Sequence, residues 1–160
     1  MSFAFLILPL IYYKSVLLFI IFKNPQMIIF ENNITYTLLL AFIFISFSQS
    51  GLDKITDWKG NLAWLNGHFE KSVFKNTVPI LLGIIVVMEI VTSIVCLWGI
   101  YDLLFNQRSL IAFYAAVLGT ITLLMLLLGQ RVAKDYDGAR TIVIYLIPTI
   151  LLVFFLEMGL

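Results

Sequence analysis

What most restricts this chain is a series of long apolar runs and the places where charge interrupts them. The runs at 34–50, 78–101, 109–129 and 141–157 are each long enough, at about 1.5 Å per helical residue, to cross most or all of a hydrocarbon core of about 30 Å. Of the 160 residues, 62% are hydrophobic and 12% charged, against about 45–50% and about 25% in ordinary globular domains. A soluble fold of this length has no interior large enough to hide that apolar surface, so lipid must solvate much of it. The expected architecture is all-α: a four-helix transmembrane bundle in one domain, with membrane lipid as its solvent. A net charge of +1 and the lack of a basic tail argue against nucleic acid as a partner.

Phe3–Phe22 is a further apolar run, ended by Lys23-Asn24-Pro25-Gln26. No basic residue precedes it and no small-x-small pattern follows it, which argues against a signal peptide. Lys14 near its middle costs about 2.5–3.5 kcal/mol on insertion scales, so it snorkels, pairs, or marks a segment lying in the interface. Residues 1–26 are therefore read as an N-terminal hydrophobic extension and a candidate extra span, with Met27 as an alternative start. Residues 27–160 are the four-helix domain.

The first core span ends in Ser46, Ser48 and Gln49, and then in the polar stretch Ser50-Gly51-Leu52-Asp53-Lys54-Ile55-Thr56-Asp57-Trp58-Lys59-Gly60. From Ile55 the apolar residues Trp58, Leu62, Leu65, Phe69 and Val73 recur every three or four positions, with Asp57, Lys59, Asn61, Asn66, Glu70 and Lys71 between them. This pattern predicts an amphipathic helix over about 55–73, lying in the headgroup region on Trp58 and Trp64 or packed on the bundle mouth. His68 is read as a polar-face residue of that helix. Pro79 at the start of the next span suits a first helical turn, and Pro148 marks a candidate kink in the last.

Basic residues are distributed unevenly. The loops 51–77 and 130–140, which alternating spans put on one side, hold Lys54, Lys59, Lys71, Lys75, Arg131, Lys134 and Arg140, whereas the other side holds Lys23 and Arg108. The positive-inside bias puts the first set in the cytoplasm and the C-terminus outside.

Glu89 is the sharpest chemical signal. It lies about 16 Å into its span by helical rise, where an ionised carboxylate must be paired, neutralised by a proton, or wetted by a cavity. Ser93 and Cys96 share its face, and Thr92 borders that face. Thr120 and Gln49 sit at comparable depths on other spans. The alternatives are a proton-relay or quinone-headgroup site around Glu89, and a carboxyl that ties two helices together. Arg131, just past the third span, reaches Glu89 only through Lys54 or Gln49. Arg131, Lys134 and Arg140, with Asp135 and Asp137, form either a solvated loop with ion pairs of about 0–1 kcal/mol each or a docking patch for a partner subunit. One histidine and one cysteine exclude bis-histidine haem ligation, an intrachain disulfide and a His/Cys metal cluster within the chain. A lone apolar-run Cys96 is a packing residue. Gly83, Gly99 and Gly119 are candidates for close helix approach.

Ser50-Gly51-Leu52-Asp53-Lys54-Ile55 resembles the S-G-x-x-K-hydrophobic end of the first helix in the DoxX/MauE group of small bacterial membrane proteins. Thr56-Asp57-Trp58-Lys59-Gly60 resembles the segment that follows it there. Pro79 and Glu89 resemble the proline and mid-helix glutamate of the group's second helix. The resemblance spans residues ~34–158 over four helices. It implies a four-helix membrane bundle in a bacterial inner membrane, in a group linked to thiosulfate:quinone oxidoreduction and to maturation of a disulfide-rich amine dehydrogenase. The second branch fits less well, because no cysteine pair follows the third helix. The leading expectation is an accessory or quinone-interacting subunit of a membrane redox system, with a bound quinone as the only cofactor. The alternative is a non-catalytic assembly subunit that docks a partner through its cytoplasmic loops. A small transporter has least support, since there is a single buried acid.

Overall fold

The computed structural model of the chain describes residues 25–107 and 109–159. The Phe3–Phe22 run, Lys14, Lys23 and Arg108 lie outside the described residues. Five α-helices follow in order: α1 Pro25–Thr56, α2 Trp58–His68, α3 Val78–Tyr101, α4 Leu110–Ala133 and α5 Tyr136–Gly159. A π-helical turn, Asp102–Asn106, extends α3. No strand occurs among the described residues. Four stretches, Asn33–Thr56, Val78–Asn106, Leu110–Ala133 and Tyr136–Gly159, are long and apolar enough to cross a membrane. The chain is an all-α, multi-pass membrane protein. The bundle belongs to a compact unit, Tyr36–Leu160; of the other unit, Met1–Thr35, the described part is the start of α1.

Small residues bring the helices together. Ala112, Ala115, Ala116 and Gly119 form a stripe of buried positions along α4, which packs extensively on both α3 and α5. A Cβ placed on Gly99 would lie 3.0 Å from the Cα of Ala112, so α3 and α4 touch backbone to backbone there. Leu40 of α1 also meets Gly99, and Ile43 and Phe47 of α1 meet Gly119. Phe42 stacks on Tyr145 with ring centres 5.7 Å apart, and Tyr36 donates to the Phe155 carbonyl at 3.3 Å. These contacts seat α1 against α3, α4 and α5. Leu40, Ile43, Phe47, Cys96, Leu123, Leu152 and Leu156 fill the space between. Gly83 faces only Trp58, so of the three glycines anticipated as contact points, Gly99 and Gly119 act as such.

Two stretches, 50–77 and 130–140, differ from the sequence reading in ways that matter for the site. The first span does not stop at Ser50: α1 runs on through Thr56, with the Ser50 and Lys54 side chains bonded on the helix and across to α3 rather than in a loop. Asp57 then caps α2 by accepting from Gly60 N–H at 3.0 Å. The helix after it ends at His68 instead of continuing to Val73. Residues 69–77 are turns, Val73 is 84% exposed, and α2 has no fully buried residue. The second difference is at 130–140, which is nearly all helix. The α4–α5 connection is Lys134–Asp135, closed by the paired bonds Asp135 N–H to Gln130 O (2.9 Å) and Lys134 N–H to Arg131 O (3.2 Å). Lys134 takes the left-handed conformation (φ 62°) that this helix ending needs. Asp135 caps α5 through Gly138 N–H at 2.8 Å. Pro148 lies within α5, one residue before Thr149 closes a bond to the Tyr145 carbonyl.

Candidate functional site

The last turns of α1 carry Ser50 and Lys54 four residues apart, hence on one face of the helix. Gly51 lies beside them and faces α3: a Cβ there would come within 2.9 Å of Ile90 and 3.5 Å of the Glu89 Cβ. At Gly51 α1 therefore runs close to α3 at the level of Glu89, with the flexible end of Ile90 as its nearest neighbour. The Glu89 side chain is 0% exposed and that of Lys54 is 18% exposed. The Lys54 ammonium donates to Glu89 Oε1 at 3.0 Å and Oε2 at 3.1 Å. It also reaches the Ser50 carbonyl at 3.2 Å and the Ser50 hydroxyl. That hydroxyl in turn donates to Glu89 Oε1 at 2.9 Å. Three side chains from two helices thus form one closed cluster, with charges paired inside the membrane-spanning part of the bundle. Such a pair tolerates burial only because hydrogen bonds occupy its donors and most of the carboxylate lone pairs.

The cluster forms part of the wall of a cleft of about 520 Å³, within the ~300–1,000 Å³ range of small-molecule sites. Phe42, Ile43, Ile45, Phe47, Leu123, Leu126 and Ile142 give it an apolar lining, and Ser46, Gln49, Ser50, Asp53, Glu89, Tyr145 and Thr149 contribute polar groups. On its other side Lys54 lines a smaller pocket of about 180 Å³ beneath α2, walled mainly by Leu65, Phe69, Phe74, Leu82, Ile85 and Met125. Leu126 is common to both spaces; Ser50 and Glu89 line the larger one and Lys54 the smaller.

The other residues singled out from the sequence are distributed as follows. Gln49 lines the cleft. Ser93 is buried one turn beyond Glu89, but its hydroxyl bonds the Glu89 main-chain carbonyl at 2.8 Å, not the carboxylate. Thr120 likewise bonds within its own helix, to Ala116 O at 2.9 Å. The hydroxyl that bridges α3 and α4 is Thr122, 3.4 Å from Thr92. Cys96 is buried in the core. Arg131 is not at the cluster: its guanidinium lies 4.9 Å above the Tyr136 ring. Arg140 pairs with Asp137 at 3.0 Å along one exposed face of α5, so this ion pair lies within a helix, not between loops. His68 bonds Gln130 at 3.0 Å, lies 3.8 Å from Asp135 and stacks on Trp64. It ties α2 to the α4–α5 turn, which puts those two segments at the same end of the bundle, as alternating spans require.

Ser50 and Gly51 belong to this cluster although reading residue by residue does not place them in the site. The signal was present: a serine and a lysine at i and i+4, next to a glycine, at the end of an apolar run. No family model, curated protein or solved structure matches the chain. The chemistry of the site must therefore come from its own atoms. The cluster can hold a proton-exchanging group at a fixed position beside an apolar cleft, and can present hydrogen-bonding atoms to whatever occupies that cleft.

Proposed function

We propose that the chain is an accessory subunit of a membrane redox system and that its cleft takes the ring of a quinone-type cofactor. The observation that carries this reading is the Ser50–Lys54–Glu89 cluster, whose Ser50 and Glu89 stand in the wall of an otherwise mostly apolar cleft of ligand size. An amphiphilic ring needs apolar walls for its body and a few fixed polar groups for its oxygens. A carboxylate–ammonium pair beside those oxygens also supplies a local site for the proton that must move whenever such a ring changes redox state. Four of the residues that resemble the DoxX group, Ser50, Gly51, Lys54 and Glu89, meet where α1 packs on α3, which supports placing the chain near that group. The side carrying α2 is assigned to the cytoplasm of a bacterial inner membrane, because Lys59, Lys71, Lys75, Arg131, Lys134 and Arg140 remain there after Lys54 is counted with the span. The C-terminus then faces outward.

The test is binding of decyl-1,4-benzoquinone to the full chain in lipid nanodiscs, measured by equilibrium dialysis against empty nanodiscs. Saturable, one-to-one binding is expected above lipid partition, together with its loss in Ser46→Phe, which fills the cleft. Uptake no greater than that of empty discs, or unchanged in Ser46→Phe, refutes the proposal.

A further inference from the structure

The proton inventory of the cleft wall says which form of a ligand it accepts, an inference that rests on the ring-binding reading above. Lys54 has three N–H donors and Ser50 one O–H. The ammonium has its three on Glu89 Oε1, Glu89 Oε2 and Ser50. The Ser50 proton goes to Glu89 Oε1. Two further hydroxyls of the wall also point their protons inward: Ser46 to Phe42 O at 2.8 Å and Thr149 to Tyr145 O at 2.8 Å. What the Ser50–Glu89 part of this wall offers a ligand is therefore lone pairs. Ser50 Oγ accepts from Lys54 and keeps one, Glu89 Oε2 accepts one bond of the two it can take, and Asp53 contributes a carboxylate at the exposed part of the cleft. Glu89 itself is fully buried while Ser50 is partly exposed, so of the two cluster residues that line the cleft Ser50 is the one open to an occupant. Among the described residues of the wall, the Gln49 amide and the Tyr145 phenol are the donors with no bond inside the protein.

We propose that the cleft selects the hydroxyl-bearing, hydrogen-bond-donating form of its ring ligand, a hydroquinone, over the dicarbonyl form, and that Ser50 is the residue that receives its hydroxyl. A hydroxyl gives its proton to Ser50 Oγ and leaves the cluster intact. A carbonyl at the same place sets lone pair against lone pair and leaves both unpaired away from water, a penalty comparable to a lost buried hydrogen bond.

The experiment compares decyl-1,4-hydroquinone with decyl-1,4-benzoquinone, both radiolabelled, on the full chain in nanodiscs under anaerobic conditions. Each affinity is corrected for partition into empty discs. The hydroquinone is expected to bind about tenfold more tightly, the size of one satisfied against one unsatisfied buried hydrogen bond. Ser50→Ala should bring the ratio close to one, and Ser50→Thr, which keeps the hydroxyl, should restore it. Glu89→Gln frees a Lys54 proton and should shift the ratio toward the quinone. Equal affinities, tighter quinone binding, or an undiminished ratio in folded Ser50→Ala overturns the inference while leaving ring binding in place. Absence of saturable binding by either form overturns the ring-binding reading as well.

Discussion

Replacing Lys54 by Met should destabilise the bundle far more than an ordinary substitution at a helix end. In that variant Glu89 stays where no solvent reaches it and keeps only the Ser50 hydroxyl at 2.9 Å, losing the contacts at 3.0 and 3.1 Å. Removing one partner of a buried pair costs about 3–5 kcal/mol, because a charge is left uncompensated. The reverse change, Glu89→Leu, should cost less. The Lys54 side chain is 18% exposed, retains the Ser50 acceptors, and can turn its head outward on a flexible stem. The double variant Lys54→Met/Glu89→Leu removes both charges at similar volume and should lie within about 1–2 kcal/mol of the parent, since apolar replacement of buried pairs is often neutral or stabilising. The double-mutant cycle is thus expected to show a coupling of about 3 kcal/mol. Reversible unfolding in mixed micelles, followed by helical circular dichroism at increasing SDS fraction, measures all four species. A coupling below about 0.5 kcal/mol, the usual limit of additivity for independent sites, would mean that the pair contributes nothing to holding α1 on α3. Glu89 would then owe its place in the bundle to something other than Lys54, and the reasoning from the cluster would fail.

Four further outcomes follow from the packing and the caps. Gly99→Ala presses a methyl onto the Ala112 backbone and should cost about 1–3 kcal/mol, whereas Gly51→Ala meets mainly the movable end of Ile90 and should cost under about 1 kcal/mol; the same SDS titration ranks them. Lys134→Gly relieves a left-handed lysine at the α4–α5 turn and should stabilise by about 1 kcal/mol, and a lower midpoint than the parent would count against it. Asp57→Ala removes the cap on Gly60 N–H and should loosen the start of α2 by about 1 kcal/mol, visible as faster amide exchange at 60–61 alone. His68→Ala removes the link to Gln130 and Asp135, so exchange should quicken across α2 while α3 to α5 stay protected; unchanged α2 protection would show that other contacts hold it.

Much of this molecule could be read without coordinates. Apolar runs of spanning length leave few alternatives in lipid, because every backbone N–H and C=O must be satisfied within its own helix. The helical class, the four spans and the need for Glu89 to be paired, neutralised or wetted followed from that requirement and from the cost of burying a carboxylate. Helix ends were less legible. Ser50–Thr56 is polar enough to pass for a loop, and it is helical because Lys54 has a buried acid to pair with, which no local pattern reveals. Residues 130–140 likewise look like a connection. Their partners are local, but the turn uses Lys134 where glycine is usual, so the expected marker of a helix end is missing.

The order of residues alone dictates that this chain lives in a membrane as helices and that one acid on its second core span needs a reason to be there. What that reason is emerges only when the helices pack. The packing of α1 on α3 brings Ser50 and Lys54 to Glu89, and Arg131, equally charged and at the same end of the bundle, faces Tyr136 instead. Partner choice depends on which helix faces are in contact and at what separation, and those are settled by small residues such as Gly99, Ala112 and Gly119, whose effect appears only when the helices meet.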